Sequence, residues 1–177
     1  MTHTPRVLVI GFGNPGRLDD GLGPAVAAAL EPLELPGVTV DSDYQLTVED
    51  AATMQEFDAV LFVDAAVCGT EPFYVAEVQP RDTQVSFSTH SIDPRGVMTL
   101  ARDLFQASPK AYIVGIRGYE FNEFGERLSE DAQANLQAAR EFLVDVLKRG
   151  DLEALEARKE PMPEPPPPPV RLETEQR

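Results

Sequence analysis

One cysteine and two histidines are all that this 177-residue chain holds of the side chains that most often grip metals or attack carbonyls. Cys68 alone closes no disulfide within the chain and founds no multi-cysteine metal cluster. Imidazole chemistry falls to His90, because His3 lies in an N-terminal end that is prone to fray. Long apolar runs are missing as well. Nowhere do 18 apolar residues follow one another, which excludes a membrane-spanning helix. The run Val7-Leu8-Val9-Ile10 is too short for a signal peptide's core and meets a glycine turn, so the cytoplasm is the expected location.

Basic residues are scarce: 15 Lys and Arg stand against 30 Asp and Glu, a net charge of −15. A surface that negative repels phosphate backbones and anionic lipid, so neither nucleic acid nor a membrane is an expected partner. Proline is unevenly spread. Gly150 to Arg177 carries seven of the 16 prolines, including Pro165 to Pro169, and seven acids against four bases, a net of −3 that leaves −12 on the rest. A proline run favours extended polyproline conformation and cannot continue a helix. The composition predicts a folded domain over residues 1–150 and a solvated, Pro-rich tail over 151–177, with truncation after about residue 158 harmless.

The remaining sequence, within a chain that is 42% hydrophobic, alternates two periodicities. Val7–Ile10, Ala59–Val63 and Ala111–Ile116 are continuous aliphatic runs, as in strands buried on both faces of a parallel sheet. Val38–Asp43 reads as a further strand and Phe73–Val78 as an edge strand. A helix is predicted from Pro24 to Leu33, a short one capped by Thr47 that ends near Glu56, and one opened by Asp93-Pro94. The apolar face of this third helix would be Val97, Leu100, Ala101, Leu104 and Phe105. Ser129 starts the last helix, with Leu136, Ala139, Leu143, Val146 and Leu147 inward and Gly150 past its end. This order predicts a three-layer α/β/α sandwich around a mostly parallel, roughly five-stranded twisted sheet. Ligands in such folds bind beyond the carboxyl ends of the strands. Asn14, Asp19 and Asp20 follow the first strand, Asp64 the third, and Arg117 and Tyr119 the last.

Gly11-x-Gly13-x-x-Gly16 after a strand matches the dinucleotide fingerprint in letters. In that fingerprint the helix opens at the glycines and receives a pyrophosphate. In this chain Arg17 to Gly21 intervene, and two carboxylates sit where a dianion must bind. Gly13-Asn14-Pro15-Gly16 also resembles peptidyl-tRNA hydrolases, whose Thr-Arg-His-Asn segment and basic face are missing. The third reading is that the turn presents carboxylates: one of Asp19 and Asp20 caps the helix, and the other is free for a cation.

His90 precedes the helix opened by Asp93. A lone loop histidine is more often structural than catalytic, and Asp64 by itself is open to the reading of a turn residue. Two carboxylates and one imidazole at strand ends could form a three-ligand metal site with open positions. Cys68 with His90 offers a rival thiol hydrolase pair, against the commoner fate of a small buried cysteine. Arg117 either clamps a substrate carboxylate or carbonyl, or pairs with a neighbouring acid.

These residues resemble the NiFe-hydrogenase maturation proteases over most of residues 6–147. Gly11 to Gly23 lies close to that family's G-x-G-N-x-x-x-x-D-[DE]-G-x-G signature, and Asp43–Leu46 with Gly115–Phe121 resemble the branch serving cytoplasmic, NAD-linked or bidirectional hydrogenases. The resemblance implies an endopeptidase that removes the C-terminal extension of a hydrogenase large-subunit precursor after nickel insertion. It also implies that Asp20, Asp64 and His90 are the catalytic residues and bind nickel carried by the substrate, with zinc or cadmium substituting in the isolated protein. Asn14, Asp19, Arg117 and Tyr119 are candidate substrate contacts. Water activation by Asp20, by Asp64 or by the metal stays open, as does a non-cleaving checkpoint that binds immature large subunit.

Overall fold

The computed structural model describes residues 3–82 and 92–167. Five strands, β1 (Val7–Phe12), β2 (Val38–Asp43), β3 (Ala59–Ala66), β4 (Phe73–Glu77) and β5 (Lys110–Arg117), form one sheet in the order β2-β1-β3-β5-β4. All neighbours are parallel except β4, which lies antiparallel on β5 as the edge. The sheet interior is aliphatic because helices cover both faces. Val7, Val9, Leu61, Val63, Val75 and Val114 meet α1 (Leu22–Leu30) and α4 (Glu130–Arg149) on one side. Leu8, Ile10, Val60, Phe62 and Ile113 meet α2 (Val48–Thr53) and α3 (Pro94–Phe105) on the other. The three-layer α/β/α sandwich is therefore the observed fold.

Local signals act as expected at several ends. Thr47 forms a capping box with Asp50, Asp93 accepts from the Gly96 amide at 2.7 Å, and Gly150 closes α4 in the left-handed conformation. The differences have physical causes. A 3-10 turn over Leu18–Gly21 precedes α1, so the helix opens only at Leu22, and another 3-10 turn replaces its predicted last residues. Leu104 of α3 is 55% exposed rather than inward, since Leu100 and Ala101 already fill the contact with the sheet.

The chain also stays on the body past Gly150. A short helix, α5 (Glu153–Arg158), buries Leu155 in the α4-side core, and Arg158 stacks over Phe73 and Phe142 at 4.2 and 4.9 Å. The expectation of a solvated tail from residue 151 is corrected for this stretch: its leucine spacing supplies an apolar face that the proline count hides. The end of the proline run, from residue 168, lies outside the described residues. No helix among the described residues is long and apolar enough to cross a membrane.

Candidate active site

The turn after β1 is built around one carbonyl. Gly13 has φ +140°, and a Cβ there would lie 2.1 Å from the Asp20 backbone oxygen, so only glycine lets the turn fold back on itself. Asn14 completes the loop: its side-chain oxygen accepts from Gly16 N–H at 2.9 Å, and its backbone N–H donates to Asp20 Oδ2 at 2.8 Å. Asn14 thus shapes the turn and holds Asp20. Because α1 starts after the carboxylates, no helix N-terminus opens at the glycines, and the dinucleotide reading loses its anion site.

The two adjacent acids have opposite fates. Asp19 is fully buried and accepts from the backbone N–H groups of Tyr119 (2.8 Å), Glu120 (3.0 Å) and Ser129 (2.7 Å) and from the Ser129 hydroxyl (2.6 Å). Burial by itself would raise its pKa, but the Ser129, Tyr119 and Glu120 hydrogen bonds outweigh that and hold it below the usual carboxylate value. Asp19 fastens the 3-10 turn to the loop between β5 and α4. Asp20 is half-buried, and its Oδ1 has no donor among the described residues.

Asp64 was placed after its strand by sequence, yet β3 continues to Ala66, which sets the carboxyl on the α2/α3 face of the sheet. Desolvation pushes its pKa up to about 7, opposed by the Ala65 N–H bond at 2.8 Å and reinforced by the Asp20 charge. Asp20 and Asp64 are thus brought within electrostatic reach of each other. Each carboxylate has one oxygen held by a backbone amide, and the other has no donor among the described residues. His90 lies outside the described residues, whose chain resumes at Ile92, bridged to Leu46 beyond β2. No group of three metal-binding side chains is assembled among the described residues.

Tyr74 is a site neighbour that pattern reading missed. It pairs with Gly115 across β4 and β5, and Gly115 pairs with Asp64 across β5 and β3. The glycine leaves a gap that the tyrosine ring fills. Burial, then the Asp64 charge, push the Tyr74 phenol up to about 12. The signal in sequence was Gly115 within an otherwise aliphatic strand, where a close approach is expected.

Arg117 ends β5, lies 5.5 Å over the Tyr119 ring and donates to Gly69 O at 3.4 Å, while its buried Nε has no partner among the described residues. Tyr119 is exposed, donates to Glu71 Oε1 at 2.5 Å and accepts from Asn135 Nδ2 at 2.9 Å. Cys68 is half-buried, and its Sγ lies 3.6 Å from Glu164 O.

No family model matches the chain. A provisionally named hydrogenase maturation protease of Methanocaldococcus jannaschii is 24% identical over 156 residues, 81% of this chain and 97% of that protein. The crystal structure of the NiFe-hydrogenase maturation protease HycI from Thermococcus kodakarensis superposes with a TM-score of 0.63 at 26% identity, covering 81% of this chain and 93% of that one. In sequence and in fold the chain is similar to the NiFe-hydrogenase maturation proteases. The hydrogenase maturating endopeptidase HybD from E. coli shares the fold, with a TM-score of 0.62 at 21% identity over 82% of this chain and 94% of its own. In this chain the glycine turn serves the two carboxylates.

Proposed function

We propose that the protein is an endopeptidase that removes the C-terminal extension of a NiFe-hydrogenase large-subunit precursor once nickel has entered it. The observation that carries this reading is the pair Asp20 and Asp64, with Asp64 desolvated to a pKa of about 7 at the carboxyl end of β3. In the metal-free protein such a carboxyl is partly ionised at neutral pH and can take a proton from water and return it to the leaving amine, whereas a cation on its free oxygen would favour the ionised form. The free oxygens of the two carboxylates suit a cation, and His90 would add a nitrogen donor. Nickel enters as part of the substrate. A site of oxygen and nitrogen donors lacking thiolate does not strip a cysteine-bound nickel. In the isolated protein the same donors would take zinc or cadmium.

The rim around this site supports a protein substrate. Tyr44 after β2, Val67 after β3, and Tyr119 and Phe124 after β5 are exposed apolar residues gathered at the sheet's carboxyl edge. The resemblance of segments 43–46 and 115–121 to the branch serving cytoplasmic NAD-linked or bidirectional hydrogenases supports a substrate of that class.

The test is processing of purified, nickel-loaded precursor followed by mass spectrometry. Asp20→Asn, Asp64→Asn and His90→Gln each abolish cleavage while circular dichroism stays native, and nickel-free precursor stays uncut. Precursor that binds the wild type without being shortened would sink this reading in favour of a non-cleaving checkpoint.

A further inference from the structure

The segment after α5 runs alongside the candidate site. Glu160 N–H donates to Val75 O at 2.8 Å on the outer side of the edge strand β4, and Thr70 Oγ1 donates to Glu160 Oε1 at 2.6 Å. Tyr74 Oη reaches the Met162 sulfur at 3.7 Å. Pro163 packs on Gly69, where a Cβ would come within 3.0 Å of its Cγ, and the Cys68 thiol lies against Glu164 O. Residues 160–164 therefore lie over Tyr74, whose ring borders Asp64.

Anchor and strap differ in strength. The anchor is α5, held by buried Leu155, by Arg158 on two rings and by Lys159 Nζ to Glu77 at 2.9 Å. The strap itself is thin. Pro161 and Pro163 have no N–H to donate, Glu160 supplies its one backbone bond to the sheet, and Met162 remains 41% exposed. The buried Tyr74 hydroxyl, in a residue only 7% exposed, is left with a thioether, a weak acceptor. A peptide carbonyl in that place would satisfy it far better.

We propose that the outer edge of β4, with Thr70, Gly69 and Tyr74, is the groove that seats an extended peptide of the substrate protein beside Asp64, and that residues 160–164 occupy it in cis. The occupant is an extended segment that adds to the sheet edge through its backbone, sets an unbranched apolar side chain over Tyr74, and offers a carbonyl to the phenol. The substrate half of this inference rests on the endopeptidase reading, whereas the groove does not. A tether as short as α5 to residue 160 gives the strap an effective concentration of order ~1 mM, so a competing peptide must exceed that or arrive with further contacts from the large subunit.

The experiment uses the full chain with the strap released by Glu160→Pro and Met162→Asp, both on the strap side, so the groove stays intact. A labelled peptide of residues 159–167 is titrated by fluorescence anisotropy, and nickel-loaded precursor is cleaved in parallel. The released variant binds the peptide about tenfold more tightly than wild type and cleaves precursor several-fold faster. Met162→Ala alone gives a smaller change of the same sign and serves if the double variant unfolds. In a Glu164→Cys variant oxidised onto Cys68, peptide binding and cleavage fall and return on reduction. Equal peptide binding by wild type and released variant overturns the groove. A binding difference with equal cleavage overturns its role for substrate, and precursor uncut by every form overturns the endopeptidase reading while the binding result still decides the groove.

Discussion

The Tyr74 ring lies across Gly115, where an added Cβ would meet Tyr74 Cε1 at 2.2 Å and Cζ at 2.3 Å. Those atoms belong to a packed ring in the sheet's α2/α3-side core, so they cannot swing aside without moving their neighbours. Gly115→Ala should cost roughly 1–3 kcal/mol by overpacking. It should also slow precursor processing, because the displaced ring borders Asp64. Urea denaturation and the cleavage assay check the two effects, and an unchanged midpoint would show that the ring has another place to go.

Asp19 holds together two loops that are about a hundred residues apart in sequence. Asp19→Ala leaves three backbone N–H groups and the Ser129 hydroxyl without their acceptor, a loss of at least ~3 kcal/mol. Its lowered pKa means that the native state favours the ionised form. That contribution is present above the ordinary carboxylate range and is lost as pH falls through the lowered value. The stability of Asp19→Asn, measured by denaturant melts, should therefore depend less on pH on the acid side of the ordinary carboxylate pKa of about 3.9 than that of the wild type.

Asp64 has the opposite sign. Its native pKa of about 7 lies above the unfolded value of 3.8, so the native state holds the proton more tightly. Stability then falls as pH rises from about 4 to about 7, and the full cost is present above that window. Asp64→Asn removes the charge from both states. It should raise the melting temperature at pH 8, with the gain shrinking on acidification and vanishing near pH 4, while abolishing processing. A constant gain at every pH would place the effect in packing rather than in ionisation.

The framework was legible because β1, β3 and β5 are unbroken aliphatic runs and because Thr47, Asp93, Ser129 and Gly150 end their helices by local chemistry. That Asp20 and Asp64 stand near the carboxyl ends of β1 and β3 was legible, although β3 continues two residues past Asp64. The division of labour between Asp19 and Asp20 was not, since only the long-range bonds to Tyr119, Glu120 and Ser129 distinguish two adjacent aspartates. Tyr74 was hidden for a similar reason: its meaning comes from Gly115, on a strand about forty residues away. Composition misled in residues 151–164, where prolines and acids outnumber the few side chains that dock.

Those few side chains make the last prediction. The α5 helix buries Leu155 and places Arg158 over Phe73 and Phe142, which themselves meet with centroids 5.4 Å apart. Full burial of a leucine contributes about 2–3 kcal/mol, and a cation over aromatic faces about 1 kcal/mol. A chain ending at Gly150 should therefore melt roughly 10 °C below the full chain, at about 2–4 °C per kcal/mol for a domain of this size. A chain ending at residue 167 should melt with the full chain. Arg158→Ala in the full chain should lower the melting temperature by about 3 °C, which isolates the stacking from the leucine. Scanning calorimetry on the four proteins measures all of this, and equal melting of the chains ending at 150 and 167 would show that α5 adds nothing to the fold.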